Sequence, residues 1–381
     1  MKHRIVFTIE NLFPLGPAQT LFQLCQKLIA QQHEVAVAVL GQREFEPVEW
    51  RSHGIDVRFL NGDDQTPLHT WRDGFQIIRE LRALLANFRP GIVHSWCGVS
   101  QWLTLLATED WPFINNPFEI RLFGTELFLG PEKRFSRQML ENRMSRRVEK
   151  MLVPHQSVKR HLVESGFRED RIGVIDNCFC HVSRQQNRVD ARKQLHRLLG
   201  LNESTHVVGT VAQLHPQSRL KDQIWAIDLL KVLRDDVHLV VFGKGHQLKR
   251  LRRFAALTEA KSHIHLVGHP ENSEQLLAGI DVYWHSHLRS PVCSNLLTAL
   301  SMGIPAVSVF GDGTREIIRP QETGFGVNYG ARNEFASWTR FLLDRPDDAR
   351  QLAQQGRHFV RSNYAPEKMA EKYVDIYDLS T

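Results

Sequence analysis

The chain has 381 residues, 42% hydrophobic and 24% charged. It is too long for one simple core and too apolar for a disordered chain, and it suits two domains of ordinary size. A formal charge of +6 and a pI of about 9.1 favour anionic partners, such as nucleotide phosphates or acidic lipid surfaces, without singling one out.

The opening "MKHRIVFTIENLF" has one short apolar run before Glu10, and it reads as a first β-strand, not as a signal peptide. No window approaches 18 uninterrupted apolar residues, so no membrane span is expected. Further strands follow at "EVAVAVL" (Glu34–Leu40), "IDVRFL" (Ile55–Leu60), "GIVHSW" (Gly91–Trp96), "FEIRLF" (Phe118–Phe123) and "KMLVP" (Lys150–Pro154). Amphipathic helices lie between them; in "AQTLFQLCQKLIAQQ", Leu21, Leu24, Cys25 and Leu28 recur at helical spacing. Such alternation predicts an α/β fold with parallel sheets.

The stretch "DNCFCHVSRQQNRVDARKQLHRLL" is polar, charged and without strand signal. A second alternating run follows: "HVVGTVAQL", "VHLVVFG", "HIHLVGH", "GIDVYWHS", "PAVSVF" and "TGFGVN". The reading is therefore a Rossmann-like domain over residues 1–180, a linker over 181–205 and a second Rossmann-like domain over 206–365. The helical pattern at 366–381 is expected to pack back on the first domain. Two such domains with parallel sheets facing a central cleft would suit a two-substrate reaction, because open α/β sheets bind ligands at their carboxyl ends.

Five cysteines form no even framework, which points to a reducing compartment, most simply the cytoplasm. Nineteen histidines show no HExxH or comparable ligand spacing, so no metal is expected. The segment Lys133–Leu152 carries seven Lys or Arg against two Glu, with Phe135, Met139, Leu140, Met144 and Val148 on one helical face. It reads either as a core-packed helix with a solvated basic face or as a surface for anionic membrane.

Three loops have the chemistry to hold an anion. "PLGPAQ" (Pro14–Gln19) enters a helix, so backbone amides at Gly16 can face a phosphate; Pro17 as an ordinary helix start explains the loop equally well. "AQLHPQSRLKDQ" sets Arg219 and Lys221 at the head of another helix, and a solvated basic turn is the alternative. "VVFGKGHQL" places Gly243 and Gly245 after a strong strand without the third glycine of a dinucleotide motif. The stretch "SPVCSNLLTALSMGIP" is a loop, an apolar helix, a Gly303 stop and a Pro305 strand entry.

In that order, and together with "QQHEVAV", "RPGIVHSW", "VIDNCF", "GDGTREII" and "ETGFGVNYG", these segments resemble the family 4 (group 1) retaining glycosyltransferases of GT-B fold over nearly the whole chain. The resemblance implies a nucleotide-sugar substrate (UDP-, GDP- or ADP-linked), an unidentified acceptor, no nucleic acid and no metal or other cofactor. It implies that Lys221, with Arg219, stabilises the leaving diphosphate. Donor contacts are implied at Gly16, Gln213, Gly243, Ser290, Ser294, Asn295, Thr298 and Glu316, and acceptor-side positions at His94, Phe123 and Glu126.

The chain departs from the pattern where it matters chemically. Gln213 stands where the family has an Arg, and Ser290 and Thr298 stand where it has two glutamates. No carboxylate lies between Asp281 and Asp312. A hydroxyl does not replace a charged bidentate acceptor. Phe123 likewise replaces an acceptor-side His, while Glu316 keeps an expected acid that a first-turn position in a helix also explains. Two functions follow as expectations: metal-independent transfer of a sugar with retention of configuration, or a weak or silent relative that binds a nucleotide, glycan or partner. The implied location is the cytoplasm, with the inner membrane face reached through 133–152.

Overall fold

The structure is a computed structural model and describes residues 2–12, 16–41, 47–60, 71–96, 98–109, 120–126, 143–180, 187–268, 270, 273–288, 293–311 and 313–379. It divides into two units, Met1–Asn177 with Pro366–Thr381, and Cys178–Ala365.

The first unit holds strands β1 (Arg4–Ile9), β2 (Glu34–Val39), β3 (Asp56–Phe59), β4 (Ile92–Trp96), β5 (Arg121–Thr125), β6 (Lys150–Val153) and β7 (Ile172–Val174). They form one parallel sheet in the order β3-β2-β1-β4-β5-β6-β7. Its helices are α1 (Pro17–Ala30), α2 (Val48–Ser52), α3 (Trp71–Phe88), α4 (Gly98–Thr108) and α5 (Gln156–Glu164). The central strands β1 and β2 are buried at every position after the first. Helices cover both sheet faces, which is why these strands read as near-continuous apolar runs in the sequence. Strand β7 escaped the sequence reading: three residues, one of them Gly173, are too few to show a pattern.

In the second unit lie β8 (His206–Val211), β9 (Val237–Phe242), β10 (Ile264–Gly268), β11 (Val282–His285), β12 (Ala306–Val309) and β13 (Phe325–Val327), ordered β10-β9-β8-β11-β12-β13. The helices are α6 (Arg188–Leu199), α7 (Leu220–Leu233), α8 (Leu248–Ala255), α9 (Ser273–Leu277), α10 (Ser294–Ser301), α11 (Thr314–Ile317), α12 (Arg332–Asp344) and α13 (Pro346–Asn363). All pairings are again parallel.

Two features differ from the expected domain plan. Most of the segment read as a linker belongs to the second unit, because it carries α6: the Asn187 side chain caps it, Gly200 ends it at φ 68°, and Ala191 and Leu195 are fully buried. Its few apolar positions hid it among charges. The chain also crosses between the units at Asn177/Cys178, three residues before the expected end of the first domain.

The final helix, α14 (Pro366–Leu379), belongs to the first unit. It packs on α1 and buries Met369, Ala370, Tyr373 and Tyr377, with Tyr377 bonded to His94 of β4. Ion pairs Lys27–Glu367 (2.6 Å) and Lys372–Asp176 (2.7 Å) frame it. Of the basic stretch Lys133–Leu152, residues 133–142 lie outside the described residues. Met144 and Val148 sit in the core, and Arg143 pairs with Glu109 at 2.6 Å.

Candidate active site

In each sheet the winding direction reverses once, between β1 and β4 in the first unit and between β8 and β11 in the second. Loops leaving the two strands at such a point run to opposite sides and open a crevice at the carboxyl ends. In the second unit that crevice is bounded by Ala212–Arg219 after β8 and by the segment between β11 and α10. Of the expected donor residues, Gln213, Ser294 and Asn295 fall there.

The crevice walls are tied together by buried polar groups. Gln223 donates through Nε2 to Ser286 Oγ at 2.9 Å, and Ser286 donates to the Ser218 carbonyl at 2.6 Å. Asn295, on the first turn of α10, donates from Nδ2 to the Val211 carbonyl at 3.0 Å. These bonds hold α10 and α7 in fixed positions against β8. Two residues entering these helices, Arg219 (φ 54°) and Cys293 (φ 44°), adopt left-handed backbone without being glycine. Such conformations cost roughly 1–3 kcal/mol each and cluster where geometry serves a ligand.

The cations are deployed differently from one another. Arg219 binds Asp222 through Nε and Nη2, both at 2.8 Å, and its guanidinium lies 4.8 Å from the Tyr329 ring centre. Asp222, itself buried, also accepts from Arg332 at 3.0 Å. The guanidinium is thus already bound to a carboxylate that the sequence reading overlooked. Lys221 is half-buried, and its ammonium stands 4.9 Å from the Phe254 ring centre. No carboxylate among the described residues pairs with it, so its charge is the one at this helix head not already neutralised.

Gly243 turns the chain against the neighbouring loop: a Cβ there would sit 1.9 Å from the Ala212 carbonyl oxygen. That approach requires glycine whether or not a nucleotide binds. Gln213 is exposed at the end of β8. Ser294 is buried at the start of α10, and Ser290 lies outside the described residues. Glu316 is exposed on α11, which follows β12.

Thr298 sits one turn further along α10, where the structure gives it a different role from the pocket-lining one expected of it. It is 4% exposed, donates to the Ser294 carbonyl at 2.8 Å and accepts from the Cys180 amide at 2.9 Å. A Thr298→Val variant keeps the shape and strands a buried amide, so we expect a loss of about 1–3 kcal/mol in thermal unfolding. Nucleotide affinity should change less than stability; the reverse order would return Thr298 to the ligand.

Two histidines that the sequence reading passed over flank the crevice. His215 and His287 meet edge to face with ring centres 5.3 Å apart. Burial, then His285 and His215, push the His287 imidazole down to about 3, and its Nδ1 is buried without a hydrogen-bond partner. Both rings are therefore uncharged near neutral pH, and His287 Nδ1 is joined by Gln223 Oε1 and His285 Nε2 as buried polar atoms without a partner among the described residues.

The first unit has a comparable crevice after β1 and β4. Gly16 is the N-cap of α1 at φ 64°, followed by Pro17, with no side-chain cap. Glu10 ends its approach beside Gly98 at the head of α4, where a Cβ would stand 3.8 Å from Glu10 Oε2. The acceptor-side residues do not gather there. His94 is fully buried between Tyr377 (2.6 Å) and Thr125 (2.7 Å), and burial pushes it down to about 3. Phe123 is fully buried beside it, and Glu126 follows the end of β5, its amide bonded to Leu152 at 3.0 Å. The middle of a covered parallel sheet leaves no room for a substrate, so His94 and Phe123 do not face an acceptor.

The same division shows in comparison with known proteins. The Glycosyl transferases group 1 family matches residues 191–359, and the Glycosyl transferase 4-like domain matches residues 16–178. The chain belongs to the group 1 glycosyltransferase family. Among curated group 1 relatives, the putative glycosyltransferase EpsD of Bacillus subtilis (strain 168) is 27% identical over 186 residues, 49% of each chain. The chain thus spans about half the length of the curated relatives it matches.

Among solved structures, HepE of Anabaena in complex with UDP and glucose superposes with a TM-score of 0.84 at 16% identity, covering 99% of both chains. Sucrose-phosphate synthase from Thermosynechococcus elongatus gives 0.78 at 15% identity, also over 99% of each. The two parallel α/β units are those of the GT-B fold. Among the described residues no group of histidine, cysteine or carboxylate side chains is arranged to hold a metal ion. No helix among them is long and apolar enough to cross a membrane.

Proposed function

We propose that the chain transfers a sugar from a nucleotide-sugar to an acceptor, with retention of configuration and without a metal. The observation that carries this reading is the unneutralised Lys221 in the first turn of α7, the helix entered directly from the β8 loop that bounds the crevice. A diphosphate leaving group develops negative charge as the glycosidic bond breaks, and a fixed ammonium with backbone N–H groups stabilises it without a metal. On this reading the freed phosphate oxygen, on the same face as the incoming hydroxyl, accepts its proton.

What the crevice offers the sugar and ribose is less charged than in the family pattern. Asn295 and Ser294 on α10 supply polar groups, and His215 and His287 supply neutral ring nitrogens. Donor recognition therefore rests on the diphosphate more than on carboxylate contacts to hydroxyls. The complexes of HepE with UDP and with UDP-glucose make uridine the first base to test.

A thermal-shift panel of UDP, GDP, ADP and their sugars tests the reading directly. At least one diphosphate should raise the melting temperature by roughly 5 °C when present at about 100 times its Kd. No shift at millimolar ligand sinks donor binding altogether. A shift without release of nucleoside diphosphate from any donor sugar favours the silent binder.

A further inference from the structure

The second unit has another recess, on the opposite side of its sheet from the crevice. It encloses about 810 Å3 at the amino ends of β8, β11 and β12. One wall is a single face of α13, running from Pro346 through Ala353 to Arg357 and Arg361; Leu342 of α12 and the turn Met302–Pro305 complete an apolar floor.

Arg357 and Arg361 stand one helical turn apart on that wall, an arrangement that is repulsive by itself. Among the described residues neither has a carboxylate partner. Arg357 makes no hydrogen bond, and Arg361 donates only to the Ser301 carbonyl, at 3.0 Å. The acids nearby are already engaged: Asp281 accepts from Arg192 at 2.6 Å and from the Val207 amide at 2.9 Å, and Asp347 pairs with Arg350. Burial and the neighbouring Arg357 pull the Arg361 guanidinium below its ordinary range. Two unneutralised guanidinium forks at the mouth of a mostly apolar recess match a phosphate on an apolar body.

We propose that this recess is a second ligand site, distinct from the crevice, for an amphipathic phosphomonoester. Its phosphate lies on Arg357 and Arg361, and its apolar part lies against Leu342, Pro346 and Ala353. The same chemistry is offered by a phospholipid headgroup and by a soluble organic phosphate. Occupancy reaches the crevice through α10. Arg361 holds the carbonyl of Ser301 at the last turn of that eight-residue helix, and its first turn carries Asn295. A phosphate that draws Arg361 away from Ser301 changes the helix that walls the crevice, so each ligand alters the affinity of the other by the same factor.

Calorimetry on the full chain decides this with hexyl phosphate, inorganic phosphate and vesicles of phosphatidylcholine with and without phosphatidic acid. Hexyl phosphate should bind, and more tightly than inorganic phosphate. Arg357→Gln should weaken that binding about tenfold, as loss of one charge-assisted contact does; among the described residues Arg357 makes no hydrogen bond or ion pair, so this variant stays folded. Lys221→Ala should bind hexyl phosphate like the parent chain. Vesicle binding that requires phosphatidic acid and Arg357 identifies the lipid source, and hexyl phosphate binding without vesicle binding identifies the soluble one. Absence of hexyl phosphate binding, equal binding by Arg357→Gln, equal affinity for inorganic phosphate, or loss in Lys221→Ala would each overturn the proposal.

Discussion

Lowering the pH from 7 towards 4 is expected to unfold this chain before most of its carboxylates are protonated. The cause is a set of buried neutral histidines. Burial pushes His94 to about 3 in the first unit. In the second, burial takes His285 to about 4, and burial with His285 and His215 takes His287 to about 3. An unfolded histidine binds its proton near pH 6.5, so between that value and the folded one the unfolded chain carries more protons. Stability from these residues is complete above about 6.5 and declines as the pH falls through that window.

By pH 5 each of the three costs roughly 2 kcal/mol, from about 1.4 kcal/mol per unit below 6.5. The sum is comparable with the whole stability of a typical domain, although His285 and His287 are too close to titrate independently. Asp281 acts in the same direction but later. Burial raises it, His206 and Arg192 outweigh that and hold it at about 2, and its contribution is lost only as the pH falls below about 3.8. Melting curves from pH 7 to 4.5 check the expectation. A melting temperature that stays constant across that range removes the histidine argument.

The second large effect is on activity. Lys221→Ala should lower kcat/KM for the donor sugar by about 10²–10³, the usual cost of removing one group that stabilises transition-state charge. Among the described residues no acid neutralises the ammonium, which meets the Phe254 ring, so on the proposed function a bound diphosphate would be its first full partner. Arg219→Ala should do less, because Arg219 is bound to Asp222, which Arg332 continues to satisfy. Donor consumption with matched melting curves separates the two. If Lys221→Ala lowers stability but not turnover, the lysine serves only to pack on Phe254.

Several site features were legible in the chain because they depend on local chemistry. Helix entries are marked by Gly16-Pro17 and by Leu220 after a polar loop, and the crevice loops follow strongly apolar strands. The loss of carboxylates near α10 was visible because it depends only on which residues occur between Asp281 and Asp312. His94 shows the limit of that reading. "RPGIVHSW" marks it as a strand residue, yet its exclusion from solvent depends on Tyr377, 283 positions away.

Sequence by itself determined the α/β class, both parallel sheets, the order of the loops and the family pattern, since periodicity, glycine geometry and apolar runs act over a few neighbouring residues. Tertiary structure alone decided which charges are free. Arg219 is bound because Asp222 is buried beside it and Arg332 reaches the same carboxylate from 110 residues away, whereas Lys221, two positions along, meets an aromatic face and no carboxylate among the described residues. Net charge can be counted along a chain, but its neutralisation depends on distance in space and on the burial that sets the strength of each pair.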